Sequence, residues 1–554
     1  MTLETPVRVA NELARRGYNA DPEAVTLIAG ATDPATALER TLETVPEDAV
    51  VLTADHVKSA IETRSRTPGT GDPAVTPNHP DPDEPAADTP ETDPSVSGGT
   101  TGRKSTDSGV NSPVETKGVA GGGDGESSVA TVGSASEQQS DGQGAGERAA
   151  RGERDPTDVE LPEEFSSTGV GEYEDFVAVF RDRYEKLSGL LRSRVNHRPT
   201  RALDAMAGNS EAALVGMVSD IRSTASGHWL VELEDTTGTF PCLVMKDREF
   251  ADLVDELLLD EVIAVEGNLA DDGNILFVDS MHFPEIPRTN SPSTADREVA
   301  AALVSDVHVG SQEFTAEAWE RFADWLHTPA ADRVEYLLIA GDMVEGVGVY
   351  PDQDEELDIV DIYEQYERFS EHLKSVPGDM AVVMIPGNHD AVRLAEPQPA
   401  FDEELRSIMS AHDARIGANP ATVTVEGVDV LMYHGVSLDE VIAELPDEKA
   451  TYDEPHKPMY QLLRKRHVAP QFGGKTRLAP EEEDHLVIED VPDVFHAGHV
   501  HKLGWGKYHG VLTINSGCWQ EQTAFQASMN IQPDYAHAPI VRLDTLDLTV
   551  RDFR

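Results

Sequence analysis

Residues 62–160 contain no leucine, isoleucine, phenylalanine, tyrosine or tryptophan, and this absence limits where the chain can fold. Proline, glycine, serine, threonine, aspartate and glutamate dominate the tract, which has no internal repeat. A segment of this composition cannot bury enough apolar surface to offset the entropy lost on ordering. The tract is therefore predicted to be a disordered linker between a small module at residues 1–61 and folded units that begin near residue 172.

The segments on either side of the linker have the apolar spacing of folded units. In residues 1–61, the stretches PVRVANELARRGY and PATALERTLETV predict a small helical module. Residues 172–200 contain a predicted amphipathic helix with an apolar stripe of Phe176, Phe180, Tyr184, Leu187 and Leu191. Residues 205–290 contain about five short alternating strands with a helix before the last pair, which favours an OB-type β-barrel. Residues 298–554 alternate strand, loop and helix, which predicts an α/β sandwich.

The charge balance constrains the solvent in which this chain works. It has 102 Asp and Glu against 44 Lys and Arg, a formal net charge of -58. Self-repulsion on this scale destabilises a compact state in dilute salt, and about 1 M salt screens it by shortening the Debye length to about 3 Å. We therefore expect a cytoplasm with very high salt, as in halophilic archaea; the alternative is an acidic protein of an ordinary cell.

Cysteine content and hydropathy point to a soluble, cytoplasmic protein without a membrane partner. The two cysteines, Cys242 and Cys518, are far apart, which excludes a disulfide framework and a CxxC zinc site and fits a reducing compartment. The stretch MTLETPVRVANELARRGYNA lacks the basic and apolar regions of a signal peptide. No uninterrupted apolar run approaches the roughly 20 residues that span a bilayer.

Five predicted strands of the C-terminal unit end in polar side chains. They lie in LVSDVHVGS, YLLIAGDMVEG, MAVVMIPGNHD, VDVLMYHG and VFHAGHVH. The polar residues at these ends are Asp306, His308, Asp342, Asn388, His389, Asp390, His434, His499 and His501. One such ending is typical of a turn. Five of them in one unit indicate a site, because sites in α/β folds collect at the C-terminal ends of strands.

The residue types at these ends favour metal-assisted hydrolysis. Mixed Asp, His and Asn ligands suit two divalent ions such as Mn²⁺, Fe²⁺ or Zn²⁺ better than Mg²⁺. Two ions about 3.5–4 Å apart need a shared ligand, and a carboxylate can supply it with its two oxygens. Such a pair activates water and neutralises phosphoester charge, so hydrolysis of a phosphoester is the predicted reaction.

The motifs DxH, GDxxE, GNHD, HG and GHVH, in this order, resemble those of the calcineurin-like metallophosphoesterase superfamily. The stretches SDVHVGS, GDMVEG and PDVFHAGHVH, with NSGCWQEQT after them and an OB-like segment before them, look more narrowly like the small subunits of archaeal family-D DNA polymerases. The resemblance covers about residues 172–554 and is specific across 299–530. Residues 1–61 match only loosely, and the linker does not match.

The resemblance implies a calcineurin-like sandwich preceded by an OB barrel, and it implies a role for each site residue. Asp306, His308 and His501 would hold one metal ion, and Asn388, His434 and His499 a second. Asp342 would bridge the two ions. His389 would act as an acid or orient the phosphate, with Asp390 as its partner.

The activity that the resemblance implies is a 3′–5′ exonuclease that proofreads at DNA 3′ ends for a separate large polymerase subunit. One alternative is a scaffold with a vestigial metal site; eukaryotic relatives have lost these ligands, whereas this chain has lost none. The other alternative is a stand-alone nucleotide phosphodiesterase. The barrel and its flanking helix argue against that reading, because small substrates do not need them.

A local reversal of charge occurs between Pro455 and Pro480. This stretch has no Asp or Glu and contains Lys457, Arg464, Lys465, Arg466, Lys475 and Arg477. It lies between two of the ligand motifs, so a strip that contacts DNA phosphates is predicted. The alternative is a basic face that binds an acidic patch of the partner subunit.

Several aromatic residues have two possible roles. Trp229, Phe240 and Phe277 in the barrel could stack on bases, but filling the core or facing a partner is favoured. Trp519 and Phe525 are candidates for a subunit interface, where aromatic residues are enriched. Cys518 is predicted to be a packed, small apolar residue, because no basic residue or histidine adjoins it to lower its pKa.

Overall fold

The computed structural model describes residues 171–350, 353–528 and 530–554, together with shorter pieces before them. Those pieces are 9, 13, 19–20, 22–29, 31, 34–44, 51–52, 56–58, 159–162, 165 and 167. The predicted linker therefore lies outside the described residues up to position 158. The prediction of a disordered linker is wrong for its last two residues, because they form strand β3 (Val159–Glu160), which pairs with Val425 and Thr424 of the C-terminal unit.

The described residues of the N-terminal region include the helices α1 (Pro22–Ala29) and α2 (Pro34–Thr44). Strands β1 (Asn19–Ala20) and β2 (Val51–Leu52) pair in parallel. The predicted helix over PATALERTLETV is confirmed as α2. Most of the other predicted helix lies outside the described residues. Apolar side chains of this region form one small core, which contains Val9, Leu13, Ala24, Val25, Ile28, Ala37, Leu38 and Val57.

The predicted amphipathic helix is present as α3 (Tyr173–Arg192), followed by the single turn α4 (Thr200–Leu203). A reciprocal capping box between Glu172 and Asp175 satisfies backbone donors at the start of α3. Its apolar stripe packs on the outside of the barrel, where Tyr184, Leu187 and Leu191 contact strand residues. The stripe predicted from spacing is thus a docking face.

The predicted five-stranded barrel is confirmed. Its strands are β4 (Glu211–Ser223), β5 (Trp229–Asp235), β6 (Gly238–Val244), β7 (Val262–Leu269) and β8 (Leu276–His282). They close in the order β4-β5-β6-β8-β7. Alternate residues point inward, and Leu214, Leu233, Phe240 and Val278 are among those that fill the interior. A short 3₁₀ helix, Ala251–Glu256, lies where the sequence predicts a helix.

Two six-stranded sheets form the C-terminal unit. The first has the order β12-β11-β10-β9-β18-β19, and the second β16-β17-β15-β14-β13-β3. The strands of the first are β9 (Ala300–Val304), β10 (Val334–Ala340), β11 (Ala381–Ile385), β12 (Arg415–Ile416), β18 (His537–Arg542) and β19 (Asp547–Asp552). The remaining strands of the second are β13 (Ala421–Val425), β14 (Val428–Met432), β15 (Val494–Ala497), β16 (Leu503–Tyr508) and β17 (Val511–Ser516).

The sheets pack face to face with helices on their outer faces. The helices of this unit are α5 (Ala316–Leu326), α6 (Ile362–Lys374), α7 (Glu403–Ile408), α8 (Leu438–Glu444), α9 (His456–Lys465) and α10 (Ala524–Ser528). Alternation in β9 shows the layering: Ala301 and Leu303 face the core between the sheets, while Ala302 and Val304 face α5 and α6. Burial of both faces explains why these strands are continuous apolar runs.

A β-hairpin precedes the His434 motif. Strands β13 and β14 pair antiparallel with Val425 opposite Val428. Glu426 and Gly427 have φ of 53° and 76°, which is typical of a two-residue turn between twisted strands. Among the helices of the described residues, none combines the length and the apolarity that crossing a membrane requires.

Candidate metal centre

The polar strand ends meet at one edge of the sandwich. Strands β9, β10 and β11 run parallel in the first sheet, and β14 and β15 run parallel in the second. Within each sheet the carboxyl ends of these strands therefore point the same way, and every predicted ligand follows one of them. The order is Asp306 and His308 after β9, Asp342 after β10, Asn388 after β11, His434 after β14, and His499 and His501 after β15.

One group of donors contains Asp306, His308 and His501, whose ligand atoms lie within 4.8 Å of one another. Nε2 of His308 is 3.0 Å from Nε2 of His501. Nε2 of His501 is 3.4 Å from Oδ1 of Asp306. All three residues are buried. Two imidazole nitrogens and a carboxylate oxygen thus face one point without solvent.

A second group contains Asp342, His434 and His499, again with ligand atoms within 4.8 Å. Nε2 of His434 lies 3.1 Å from Oδ2 of Asp342 and 2.9 Å from Oδ1 of Asn388. The other ring nitrogen, Nδ1, donates to the carbonyl of Ala340 at 2.9 Å. That bond leaves Nε2 as the nitrogen available to a ligand.

Asp342 lies between the two groups. Its Oδ2 is 3.1 Å from Nε2 of His434 and 3.8 Å from Nε2 of His308. Its Oδ1 accepts the backbone N–H of His389 at 2.8 Å. One carboxylate oxygen therefore reaches both groups while the other holds the carboxylate in place, which is the arrangement expected of a bridging ligand.

The backbone is strained where it presents the ligands. Five predicted ligand residues have left-handed φ values between 52° and 69°: Asp306, His308, Asp342, His499 and His501. This conformation is uncommon for residues with a Cβ and is typically found at functional sites. Glycines in the same motifs permit close approach, since a Cβ on Gly387 would lie 2.2 Å from Oδ1 of Asp342, and one on Gly498 2.2 Å from Oδ2 of Asp306.

The electrostatics keep the central carboxylates ionised. Burial by itself raises the pKa of Asp342, but the charges of His434 and His389 outweigh it, and the pKa lies well below its usual range. Burial lowers the pKa of His434, but its interactions with Asp342, Asp306 and the carbonyl of Ala340 together outweigh burial and raise the pKa to about 10. The pKa of Asp306 is also lowered, because its interaction with His501 outweighs burial.

His389, the predicted acid, lies at the margin of this cluster. Its side chain is 17% exposed, whereas that of His308 is 2% exposed. Its Nδ1 donates to the backbone carbonyl of Glu345 at 2.8 Å, so Nε2 is the ring atom available to a substrate. The rings of His389 and His308 meet edge to face at 4.8 Å.

The prediction that Asp390 partners His389 is wrong. The carboxylate of Asp390 accepts the hydroxyl of Tyr366 at 2.9 Å and the backbone N–H of Gly387 at 2.8 Å. Burial and the charge of Asp342 raise its pKa to about 7. Successive side chains at this turn diverge, so Asp390 supports the loop that carries Asn388.

Glu345 is the site residue that the sequence reasoning missed. Its Oε2 is 2.9 Å from Nδ1 of His308, and its Oε1 is 3.9 Å from Nδ1 of His389. Burial opposes ionisation of Glu345, but His308 outweighs it and lowers the pKa to about 2. The signal was present as the E of GDMVEG, a motif in which only the aspartate was given a role.

The six basic residues between Pro455 and Pro480 differ in burial. The predicted DNA contact is wrong for Lys465 and Arg466, because both side chains are buried. Nζ of Lys465 pairs with Oε2 of Glu261 in the barrel at 3.0 Å, and Nε of Arg466 donates to the carbonyl of Ile488 at 2.6 Å. The partly buried Arg464 stacks over Phe283 at 3.8 Å and pairs with Glu256.

For the remaining basic residues of this stretch, a DNA contact stays a prediction; they are Lys457, Arg464, Lys475 and Arg477. Lys475 and Arg477 are exposed, and Lys457 is partly exposed beside Glu454. Lys475 is close enough to Asp439 to lower the pKa of that carboxyl, along with larger effects that include His499. Lys475 therefore lies near the candidate metal centre.

The aromatic candidates also separate. In the barrel, Phe240 is buried in the interior, and Trp229 is partly buried and packs against the core of the barrel. Phe277 is 36% exposed. An interface role for Trp519 is wrong, because Trp519 is fully buried against Trp319. Phe525 is 45% exposed. Cys518 is buried, as predicted for a packed apolar residue.

The fold and this cluster define an α/β-sandwich protein with a candidate two-metal centre and a closed β-barrel before it. A family model for the B subunits of DNA polymerases alpha and epsilon matches residues 301–503. The DNA polymerase II small subunit of Halobacterium salinarum is 62% identical over 555 residues, which cover 100% of both chains. That of Archaeoglobus fulgidus is 44% identical over 384 residues, 68% of this chain and 76% of the relative. The chain belongs to the family of DNA polymerase II small subunits, the small subunits of archaeal family-D DNA polymerases.

Proposed function

We propose that this chain is a proofreading 3′–5′ exonuclease that hydrolyses DNA phosphodiesters at a two-metal centre in a calcineurin-like sandwich. It works beside a separate large catalytic subunit, for which it is also a scaffold. Family membership supports the polymerase context. The observation that carries the nuclease proposal is the position of Asp342, with one carboxylate oxygen directed at both His308 and His434.

The donors fit two divalent cations. Buried carboxylate and imidazole atoms converge within 4.8 Å, and burying such carboxylates without a compensating charge is costly. Asp306, His308 and His501 would hold one ion, Asn388, His434 and His499 the other, and Asp342 both. The mixture of imidazole and oxygen ligands suits Mn²⁺, Fe²⁺ or Zn²⁺ better than Mg²⁺. When bound, such ions supply an activated water and neutralise phosphoryl charge.

The side chains of the chain itself orient the substrate and move the proton. His389 projects from the cluster with Nδ1 held by the carbonyl of Glu345, so its ring is fixed in orientation. Nε2 is then placed to hydrogen-bond the phosphoryl group or to give a proton to the leaving 3′ oxygen. Glu345 positions the histidines: its carboxylate lies beside Nδ1 of His308 and its carbonyl holds His389.

The test is digestion of 3′-labelled DNA in high salt with Mn²⁺, with and without the large subunit. Asp342→Asn is expected to abolish cleavage more completely than substitution of any other single ligand, because Asp342 alone faces both donor groups. Asp279→Asn is the matched control, since Asp279 is an exposed barrel residue paired with Arg248. Normal cleavage by Asp342→Asn would show that the bridging role is wrong. A wild-type chain that never cleaves, although it joins the large subunit, would instead be a silent scaffold.

A further inference from the structure

A cavity of about 380 Å³ lies beside the candidate metal centre. Two of its lining residues, Tyr350 and Phe525, stack with ring centroids 5.0 Å apart and ring planes at 24°. The ring of Tyr350 is also 6.3 Å from that of His389. The aromatic pair therefore extends outward from the histidine to which the proposed function gives proton transfer.

The inner ring of this pair is held by carboxylates. The hydroxyl of Tyr350 lies 3.1 Å from Oε1 of Glu345 and 2.9 Å from Oε2 of Glu356. Burial raises the pKa of Tyr350, and the charges of the two carboxylates raise it further, so the phenol stays a neutral donor. The other oxygen of Glu356 accepts the backbone N–H of Phe525 at 3.1 Å. Both rings are thus preorganised by one carboxylate.

The outer ring is available to a ligand. Phe525 is 45% exposed, and it is one of few large apolar side chains among the described residues with so much exposed surface. An exposed ring face beside a catalytic cleft can stack a nucleobase, and such stacking tolerates any base sequence. The volume of the cavity falls in the range of small-molecule sites, about 300–1,000 Å³.

The charge of the cavity decides which part of a nucleotide fits it. Glu313, Glu355 and Glu356 line it, and none of its described lining residues is basic. Carboxylates repel a phosphate but accept hydrogen bonds from the amino and ring N–H groups of a base. An uncharged, flat group with such donors is therefore favoured over a phosphate.

We propose that this cavity binds the base of the 3′-terminal nucleotide, stacked on Phe525, while the scissile phosphodiester lies at the metal centre. This inference rests on the proposed nuclease function and names its base-binding subsite. A base can enter only when it is unpaired, and unpairing costs least at a mismatch. The subsite therefore gives the site a preference for frayed or mismatched 3′ ends.

The experiment compares two 3′-labelled single strands that differ only at the last nucleotide, which carries either a base or an abasic sugar. The full chain, with the large subunit, is assayed as wild type and as Phe525→Ala. The wild type is expected to prefer the end with a base, and Phe525→Ala to reduce that preference in kcat/KM by about 5- to 100-fold. Phe525→Trp should retain it. Phe472→Ala is the matched control, because Phe472 is 43% exposed but contacts Phe176 and Phe180 instead of the site.

A binding measurement separates failure of this inference from failure of the proposed function. Asp342→Asn, alone and combined with Phe525→Ala, is mixed with a strand that carries 2-aminopurine at its 3′ end, and stacking is followed as fluorescence quenching. Quenching that requires Phe525, in a protein that never cleaves DNA, would support the subsite and reject the nuclease. Cleavage by the wild type, with quenching and base preference both independent of Phe525, would overturn the subsite alone.

Discussion

The position of Asp342 depends on the absence of a side chain at Gly387. A Cβ added there would lie 2.2 Å from Oδ1 and 2.6 Å from the backbone nitrogen of Asp342. No rotamer change relieves a contact with backbone, so the carboxylate or its loop has to move. The predicted ligands that follow β10 and β11 are thus coupled through the packing of one glycine against one aspartate.

Gly387→Ala is therefore expected to lower hydrolysis by at least about 10²-fold, because displacement of a catalytic group by roughly 1 Å costs that much. Gly378→Ala is the matched control, since a Cβ there meets no atom within 4 Å. Cleavage of DNA and metal content are measured on both variants. Similar activity in the two variants would show that Asp342 is not confined by this contact.

His389→Ala should separate chemistry from metal binding. A donor atom of His389 lies within 4.8 Å of those of His308 and Asp342, but neither set of residues assigned to an ion includes His389, and its Nδ1 is occupied by the carbonyl of Glu345. Its loss should therefore leave both donor groups in place. The expected effect is a rate lowered by about 10²–10⁴-fold at saturating Mn²⁺.

The control for this substitution is His327→Ala, at an exposed histidine that contacts the carbonyl of Ser375. Metal content is measured alongside the rate. Complete rescue of His389→Ala by excess Mn²⁺ would mean that His389 supports metal binding and does not take part in the chemistry.

Helix α9 joins the sandwich to the barrel through a buried charge. The three ammonium donors of Lys465 are all used, by two oxygens of Glu261 at 3.0 and 3.2 Å and by the carbonyl of Glu256 at 2.8 Å. The side chains of Lys465 and Glu261 are 0% and 1% exposed. Burial lowers the pKa of Lys465 despite the neighbouring carboxylates. A fully bonded pair of this kind specifies one docking geometry.

Lys465→Ala should destabilise the protein by about 3–5 kcal/mol, because it leaves the carboxylate of Glu261 buried without a countercharge, with only the backbone N–H of Leu258 still donating to it. Lys457→Ala on the same helix removes only a partly exposed pair with Glu454 and should cost about 0–1 kcal/mol. Denaturant unfolding in high salt measures both. The double variant Lys465→Met, Glu261→Leu should recover most of the loss; equal losses for Lys465→Ala and Lys457→Ala would argue against a buried pair.

At the scale of the whole molecule, elements with a local signal were predictable and long-range pairings were not. The site strands and their ligands follow from apolar runs that end in Asp, His or Asn. The ion-pair partners of the basic run from Arg464 to Arg466 could not be predicted from the sequence around it, since Glu261 precedes Lys465 by 204 positions. The roles of Asp390 and Glu345 depend on the directions in which their loops point the two side chains, and spacing alone does not reveal those directions. Strand β3 has only two residues, and its pairing with β13 is a tertiary effect.

A second buried cluster ties helix α3 to the sandwich and makes stability depend on pH. Nε of Arg183 pairs with Oδ2 of Asp484 at 2.7 Å, and Nε2 of His467 lies 3.0 Å from the same oxygen. Nδ1 of His467 accepts the backbone N–H of Ala469 at 3.0 Å, so the neutral ring is already fully bonded. Burial, with Arg183 as the next cause, lowers the pKa of His467 to about 4.

The sign of the pH effect follows from this lowered pKa. Between about pH 6.5 and 4, His467 is protonated in the unfolded chain but not in the folded chain. The contribution of His467 to the free energy of unfolding is therefore fully present above this window and falls by about 3 kcal/mol across it. Other groups also titrate here, and the variant His467→Gln isolates the contribution, since an amide can donate to Asp484 and accept from Ala469 without titrating. Thermal unfolding in high salt at pH 7, 6 and 5 should show a smaller loss for His467→Gln than for the wild type. The same loss in both proteins would mean that His467 is not held neutral in the folded state.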